Sequence, residues 1–250
     1  MKTSQLFLAL SAFGAALAGP IANEAVAVNT LETDTKFPLA ALEDWFISKL
    51  DESEDTEAHL HARQYASSTS NQLIDGTACR RVTLIYARGT TQAGNIGDPA
   101  AVGPLFFNSL ASRIGVSSLA VQGVTYAANI AGFLIGGDPA GSRTMAQLAE
   151  RAVTQCPNTR IVLSGYSQGA QLVHNAANQL SAAVANRITA VLTFGDPKRD
   201  QGFGAIPASR TRVICRTGDN ICDGGINPGG EHTRYQQNAD EAAAWVAARV

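Results

Sequence analysis

Residues 160–173 have the sequence RIVLSGYSQGAQLV, in which an apolar run leads through a glycine-flanked serine into a helical pattern. The apolar run is typical of a strand that is buried on both faces of a parallel sheet. The segment Gly165-Tyr166-Ser167-Gln168-Gly169 matches the G-x-S-x-G nucleophile elbow, which requires a strand before it and a helix after it. The stretch therefore predicts Ser167 as a nucleophile at a helix N-terminus, whose dipole favours developing negative charge.

Apolar runs of similar length recur on both sides of this stretch and alternate with helical patterns. They predict strands at 81–88, 119–126, 160–166, 188–194 and 212–217. Helices are predicted at 99–114, 142–154, 168–182 and 235–249, the first opened by Asp98-Pro99 and stopped by Gly115. This alternation predicts an α/β fold, a three-layer α/β/α sandwich around a mostly parallel sheet.

The N-terminal region has a different character from the rest of the chain. Residues 1–18 combine Lys2, a short apolar run and small residues before Gly19, which is typical of a secretory signal peptide. A membrane anchor is the alternative, but the apolar run is too short to span a bilayer comfortably. Residues 19–63 carry ten carboxylates and end at Arg63, which predicts an acidic pro-segment or a mobile N-terminal arm. We therefore expect a secreted protein with a single catalytic domain at 64–250.

Charge and cysteine content limit the partners and the compartment. Residues 1–63 hold four of the 19 basic and ten of the 21 acidic residues, so 64–250 is basic by about four. It has no basic run interleaved with aromatic residues, and nucleic acid binding is therefore unsupported. An even number of cysteines behind a signal peptide predicts two disulfides rather than a metal site, and spacing favours the pairs Cys215–Cys222 and Cys79–Cys156.

A serine nucleophile needs a base, and two histidines remain after residue 63. His174 lies seven residues into the helix that Ser167 opens, roughly 10 Å along it. We therefore expect His174 to be a polar residue of the helix surface or of the packing, out of reach of the hydroxyl. His232 lies downstream, in the order serine, acid, histidine that α/β-hydrolases use. Elimination leaves His232 as the base.

The acid is expected between Ser167 and His232. The candidates are Asp196, Asp200, Asp219, Asp223 and Glu231. Asp219 is favoured because it follows the last strand, inside the short loop that Cys215 and Cys222 would close. Asp196 also follows a strand and stays open as the rival, although it could simply form a turn before Pro197.

An acyl-transfer site also needs donors for an oxyanion. The backbone N–H of Gln168, the residue after the nucleophile, is the first expected donor. Thr90 lies in the loop after the first strand and could add its N–H and its hydroxyl.

Five successive segments resemble the motifs of fungal cutinases in family order. They are IYARGTTQAGNIG (85–97), GYSQGAQ (165–171), FGDP (194–197), CRTGDNIC (215–222) and the following His232. The resemblance covers roughly residues 75–250. It implies a small α/β-hydrolase with a five-stranded sheet and no large lid.

The resemblance also implies roles for individual residues. Ser167, Asp219 and His232 align with the family triad, and Gln168 and Thr90, where many members have Ser, align with its oxyanion hole. Both cysteine pairs align with its disulfides. Apolar residues in the segments that flank the family's cleft are candidate acyl contacts: Phe133, Leu134, Ile135 and Ile226.

The function expected from this resemblance is hydrolysis of carboxylic esters in cutin and similar aliphatic polyesters, or of short-to-medium acyl esters. No metal or organic cofactor is implied, and we expect a monomer that acts at a lipid-like surface without stable membrane insertion. Two alternatives stay open. One is an acetylxylan esterase of the same fold, although those relatives generally carry more cysteines. The other is a non-catalytic protein that binds cuticle or elicits a host response.

Overall fold

A computed structural model describes residues 64–250, and the predicted signal peptide and acidic segment lie outside the described residues. Its central sheet has five strands in the order β2-β1-β3-β4-β5, and every neighbouring pair is parallel. The strands are β1 (Val82–Ala87), β2 (Leu119–Gly123), β3 (Arg160–Tyr166), β4 (Ile188–Phe194) and β5 (Thr211–Ile214). The predicted five-stranded parallel sheet is confirmed.

Six α-helices accompany this sheet in the described part of the chain. They are α1 (Val102–Ile114), α2 (Ile130–Leu134), α3 (Pro139–Gln155), α4 (Gln168–Ala177), α5 (Ala182–Ala185) and α6 (Ala239–Ala247). Short 3₁₀ turns lie at Val116–Ser118, Ala208–Arg210, Gly230–Thr233 and Tyr235–Asn238. No helix of residues 64–250 is long and apolar enough to cross a membrane.

The helices cover both faces of the sheet because alternate strand residues point to opposite sides. On one side Leu84 and Tyr86 of β1 pack in a core with Phe106 of α1 and Ala242 of α6. On the other side Ile85 packs in a second core, together with Met145 and Leu148 of α3 and Leu172 and Val173 of α4. The predicted three-layer α/β/α sandwich is confirmed.

Several helix boundaries differ from the sequence prediction. Helix α1 begins at Val102 rather than 99, because Pro99 belongs to a turn in which the Ala101 N–H donates to the Asp98 carbonyl. Helix α3 begins three residues early, at Pro139, because the Asp138 side chain caps it by accepting from the Gly141 N–H at 2.6 Å.

The helix that Ser167 opens and the last helix of the chain are shorter than expected. One helix was predicted over 168–182. In the structure, α4 ends at Ala177 and the short, separate helix α5 begins at Ala182. The last helix begins at Ala239 and is preceded by a 3₁₀ turn that starts at Tyr235. Gly115 ends α1 as predicted, with φ of 92°.

The structure pairs Cys79 with Cys156 and Cys215 with Cys222, with Cα–Cα distances of 5.5 and 6.0 Å. The first disulfide joins the segment before β1 to the residue that ends α3. The second closes the loop after β5. The loops after β1, β3, β4 and β5 all leave the carboxyl edge of the sheet, which is where open α/β sheets bind their ligands.

Candidate active site

Ser167 lies in the sharp turn between β3 and α4, with φ of 56° and ψ of −118°. This backbone region is costly for a residue with a side chain, and such strain occurs mostly at functional sites. A Cβ on Gly165 would collide with the carbonyl oxygen of Gly169, and a Cβ on Gly169 would collide with that of Ala87. The two glycines therefore let the backbone pack closely enough to form a nucleophile elbow.

Ser167, His232 and Asp219 form one chain of hydrogen bonds. Oγ of Ser167 lies 2.9 Å from Nε2 of His232, and Nδ1 of His232 lies 2.8 and 3.0 Å from the two carboxylate oxygens of Asp219. All three side chains are buried. A carboxylate only accepts, so the Nδ1 proton points to Asp219 and the Nε2 lone pair faces the serine hydroxyl.

His232 is held in this orientation by two tyrosines and a glycine. The ring of Tyr166 stacks on the imidazole at a centroid distance of 5.2 Å, and its hydroxyl donates to the His232 carbonyl at 2.7 Å. Tyr235 contacts the imidazole edge-on at 6.0 Å. Gly195 lies against the ring, because a Cβ there would come within 2.8 Å of Cε1. Tyr166 could have been suspected from the sequence, since it occupies the variable position before the serine in the elbow motif.

Asp219 receives two hydrogen bonds besides the one from His232. The Ile221 N–H donates to Oδ1 at 2.9 Å, and the Tyr235 hydroxyl donates to Oδ2 at 2.6 Å. Burial by itself would raise the pKa of Asp219, but the hydrogen bonds from His232, Tyr235 and Ile221 outweigh it and hold the pKa below its usual value. Burial also raises the pKa of Tyr235 well above the usual value, so its hydroxyl stays protonated as a donor. Sequence analysis did not single out Tyr235.

Asp196, the rival acid, lies next to a different histidine. Its Oδ2 is 2.9 Å from Nε2 of His174 and accepts from the Thr193 hydroxyl at 2.7 Å. Its Oδ1 accepts from the Lys198 N–H at 2.8 Å, which makes the turn expected of an aspartate at this position. His174 is fully buried, so of the two roles expected for it the packing role applies and the surface role is wrong.

The two predicted oxyanion donors are neighbours. Nε2 of Gln168 donates to Oγ1 of Thr90 at 3.0 Å and to the Asn129 carbonyl at 2.8 Å. Because Thr90 Oγ1 accepts this bond, its own proton remains available to another acceptor. The backbone N–H groups of Gln168 and Thr90 donate no hydrogen bond to another residue of 64–250. The contact between the Gln168 and Thr90 side chains was not anticipated from the sequence.

The loop that carries Thr90 is strained. Thr91 has φ of 61°, which is unusual for a β-branched residue, and its N–H donates to Ala128, which has φ of 49°. The bond between them is 2.7 Å long, so the loop after β1 is tied to the segment that leads into α2. Strain of this kind persists only where the surrounding structure enforces it. The contacts that hold Thr91 in this conformation therefore also hold its neighbour Thr90 in place.

The candidate acyl contacts divide into buried and exposed residues. Phe133 is only 5% exposed and packs inside the protein. Leu134 and Ile135, at the end of α2, are 49% and 68% exposed, and Ile226, in the loop before His232, is 45% exposed. Helix α2 borders the oxyanion donors, since a Cβ on Gly132 would come within 2.6 Å of the Gln168 side-chain oxygen.

This arrangement contains the groups that acyl transfer through a serine requires. It has a hydroxyl within reach of an unprotonated ring nitrogen, a carboxylate that orients the ring, and free amide and hydroxyl donors nearby. Within residues 64–250, no group of three or more His, Cys, Asp and Glu side chains is arranged to hold a metal ion.

Comparison with known proteins identifies the family. The Cutinase family profile matches residues 78–250. The cutinase of Blumeria hordei is 45% identical over 185 residues, which are 74% of this chain and 77% of that protein. The cutinase of Monilinia fructicola is 47% identical over 173 residues, which are 69% of this chain and 85% of that protein.

Solved structures agree with this assignment. The Trichoderma reesei cutinase in complex with a phosphonate inhibitor is 38% identical with a TM-score of 0.71, over 85% of this chain and 92% of that one. The catalytic core of acetyl xylan esterase from Trichoderma reesei shares the fold, with 22% identity and a TM-score of 0.51 over 69% of this chain and 100% of that one. The resemblance noted in the sequence is confirmed, and the chain belongs to the cutinase family of serine ester hydrolases.

Proposed function

We propose that the chain hydrolyses carboxylic esters of cutin and related aliphatic polyesters, with Ser167 as nucleophile, His232 as base and Asp219 as orienting acid. The observation that carries this proposal is the unbroken hydrogen-bond chain of 2.9 and 2.8 Å from the serine through both ring nitrogens to the carboxylate. Each member is buried, which strengthens these interactions relative to water.

In the acylation step, His232 Nε2 takes the proton of Ser167 as the serine oxygen attacks the ester carbonyl carbon. Asp219 holds the imidazolium that forms, through the bond to Nδ1. The negative charge on the former carbonyl oxygen is stabilised by the Gln168 amide and by the free donors of Thr90, each such donor being worth about 3 kcal/mol. Collapse of this intermediate breaks the ester bond, and His232 gives its proton to the departing alcohol.

Deacylation repeats the same proton transfers with water. His232 removes a proton from a water molecule, whose oxygen attacks the acyl carbon bound to Ser167. The second intermediate collapses with the serine oxygen as leaving group, and the proton on His232 returns to it. The products are a carboxylic acid and a free enzyme, so the cycle consumes one water and no cofactor.

The substrate class is supported by the exposed apolar residues and by the relatives. Exposed Leu134 and Ile135 lie at the end of α2, the helix that borders Gln168, and exposed Ile226 lies in the loop that leads to His232. They offer exposed apolar surface for contact with an aliphatic chain. Relatives that are 44–47% identical are named cutinases, whereas acetyl xylan esterase is related by fold.

A hydrolysis series would test the proposed substrate. We expect turnover of p-nitrophenyl esters with aliphatic chains and of an aliphatic polyester, and little release of acetate from acetylated xylan. Ser167→Ala should lower kcat by about a millionfold, as removal of a catalytic serine does elsewhere. Preferential hydrolysis of acetylated xylan would favour an acetylxylan esterase. Failure of an alkyl phosphonate to label Ser167 in folded protein would favour the non-catalytic alternative.

We propose further that the protein is secreted, that residues 1–18 are a signal peptide, and that the mature enzyme is a monomer beginning near Gln64. This is supported by the charge change at Arg63 and by two disulfides, which suit an oxidising compartment. Mass spectrometry of the secreted protein would locate its N-terminus, and size-exclusion chromatography its oligomeric state. An N-terminus at Gly19 in fully active material would contradict removal of the acidic segment.

A further inference from the structure

A second buried imidazole–carboxylate pair lies beside the proposed triad and takes no part in the chemistry described above. Nε2 of His174 is 2.9 Å from Oδ2 of Asp196, and neither side chain is accessible to solvent. His174 belongs to α4, the helix that Ser167 opens, and Asp196 belongs to the turn that follows β4. The pair therefore joins the helix of the nucleophile to the end of the neighbouring strand.

The hydrogen bonds of this pair show that it is not a second base. Nδ1 of His174 lies 3.0 Å from the Gly202 carbonyl, and a carbonyl only accepts, so Nδ1 donates its proton there. The other ring nitrogen is taken by the carboxylate of Asp196. His232, by contrast, gives only Nδ1 to a carboxylate and keeps Nε2 for the serine. His174 has no ring nitrogen left to accept a proton from a nucleophile.

Both partners are fixed on their remaining sides. Oδ2 of Asp196 also accepts from the Thr193 hydroxyl at 2.7 Å, and Oδ1 accepts from the Lys198 N–H at 2.8 Å. The imidazole of His174 stacks on Phe203 with ring centroids 3.9 Å apart and planes 19° apart. Every polar atom of the pair is thus occupied, which restricts the turn after β4 to one arrangement.

This turn supports two members of the proposed triad. The carbonyl of Phe194, two residues before Asp196, accepts from the Ser167 N–H at 2.9 Å. Gly195 follows with φ of +55°, and a Cβ there would come within 2.8 Å of Cε1 and 3.0 Å of Nδ1 of His232. One short segment therefore contacts both the nucleophile's backbone and the face of the base.

We propose that Asp196 and His174 are positioning residues, which hold the turn after β4 so that Ser167 and His232 keep their 2.9 Å contact. The proposal rests on the function proposed above, because it assigns the pair a role toward those two residues. Misplacement of reacting groups by about 1 Å can cost about a hundredfold in rate. Substrate affinity is expected to be unaffected, since neither side chain of the pair reaches the surface.

Asp196→Asn and His174→Gln would test this role, with circular dichroism to confirm folding and phosphonate titration to count active sites. We expect kcat per active site on a soluble p-nitrophenyl ester to fall about tenfold to a hundredfold, with KM within about twofold of the original. The proton NMR signal of the His232–Asp219 hydrogen bond should shift or broaden in both variants. Folded variants with the original kcat and an unchanged signal would overturn the proposal.

Thr83→Val is the matched control. It removes a buried hydrogen bond of 2.9 Å between Thr83 and Thr159, at the amino end of β1 and away from the elbow. We expect a lower melting temperature with unchanged kcat and an unchanged NMR signal. Equal losses of kcat in this control and in the pair variants would show general loosening and would refute the positioning role.

Two further variants keep the test decisive. If neither pair variant folds, Thr193→Val removes a single donor from Asp196 at nearly constant shape, and a several-fold fall in kcat at constant KM is expected. Unchanged kcat in that variant would then overturn the proposal. Ser167→Ala, measured alongside, separates failure of the proposed function from failure of the positioning role. An active Ser167→Ala would refute the triad itself. An inactive Ser167→Ala together with fully active pair variants would refute only the positioning role of Asp196 and His174.

Discussion

The hydroxyl of Tyr235 lies 2.6 Å from Oδ2 of Asp219, the same oxygen that faces Nδ1 of His232 at 2.8 Å. The Tyr235 oxygen in turn accepts from the Arg216 N–H at 2.9 Å, so it is held from the backbone that follows β5. A protonated tyrosine at this place favours the ionised form of the carboxylate. Tyr235 therefore helps to keep Asp219 charged and aimed at His232.

Removal of this hydroxyl by Tyr235→Phe should reduce both stability and turnover. The ring would keep its packing against Phe194 and Tyr166, while Asp219 would lose one charge-assisted hydrogen bond. We expect the free energy of unfolding to fall by about 1.5–3 kcal/mol, the usual worth of a hydrogen bond to a charged group. We expect kcat to fall about tenfold, because the carboxylate becomes less firmly oriented. Urea unfolding and steady-state kinetics measure the two effects.

Tyr65→Phe is the control for this prediction. Tyr65 is also buried, but its hydroxyl makes only long bonds, 3.3 Å to the Leu119 carbonyl and 3.4 Å to Gln72, remote from the triad. Its removal should cost less than about 1 kcal/mol and leave kcat unchanged. Equal kinetic losses in the two variants would show that Tyr235 has no special role.

The elbow glycines should be intolerant of any side chain. A Cβ on Gly169 would meet the carbonyl of Ala87 and the backbone of Arg88, which cannot move without displacing the end of β1. Gly169→Ala is therefore expected to abolish folding or to lower the melting temperature sharply. Gly202→Ala is the control, because no atom lies within 4 Å of a Cβ there. Soluble yield and thermal unfolding decide the matter, and a stable, active Gly169→Ala would contradict the packing described for the elbow.

The lowered pKa of Asp219 has a consequence for acid stability. Its usual value is 3.8, and burial, which raises the pKa, is outweighed by the hydrogen bonds from His232, Tyr235 and Ile221. Between the lowered folded pKa and pH 3.8, the unfolded chain therefore binds more protons at Asp219 than the folded chain does. The stability that ionised Asp219 contributes is fully present above pH 3.8 and is lost as the pH falls through the folded pKa.

Acid unfolding of Tyr235→Phe should therefore begin at a higher pH than that of the unmodified protein, because one cause of the lowered pKa is gone. Half-buried Glu231 and exposed Asp240 also have lowered pKa values, held down chiefly by hydrogen bonds from Arg216 and Ser109 respectively, but these groups are the same in both proteins. Denaturant titrations at a series of pH values measure the shift. Coincident acid transitions would show that Tyr235 does not set the pKa of Asp219.

The elbow could be predicted from the sequence because its determinants are local. Strand, glycine, serine, glycine and helix follow one another within 160–173, and the steric need for Gly165 and Gly169 depends on a turn of known shape. The sheet could be predicted equally well, since strands that are buried on both faces are apolar nearly throughout.

The choice between Asp196 and Asp219 could not be made from local pattern alone. Each follows a strand, and in the structure each has a buried histidine of its own, His174 for the first and His232 for the second. What distinguishes the two pairs is the ring nitrogen of the histidine that does not face the carboxylate. In His174 this nitrogen faces the Gly202 carbonyl, and in His232 it faces Ser167. That distinction depends on contacts between segments tens of residues apart, which no spacing rule encodes.

Asp219→Asn should separate the two carboxylates most clearly. Asparagine keeps the shape of the side chain, but it removes the charge that stabilises the imidazolium, and its amide can donate to Nδ1 of His232. The proton of the ring would then lie on Nε2, where it opposes acceptance of the Ser167 proton, and kcat should fall by about three to four orders of magnitude. In Asp196→Asn, kcat should fall by no more than about two orders of magnitude, because this substitution changes the geometry of the site and not the tautomer of the base. Both must be compared as folded protein, with Ser167→Ala as the floor, since an unfolded variant would imitate an inactive one. A fully active Asp219→Asn beside a collapsed, well-folded Asp196→Asn would move the acid to the turn after β4 and refute the triad proposed for this protein.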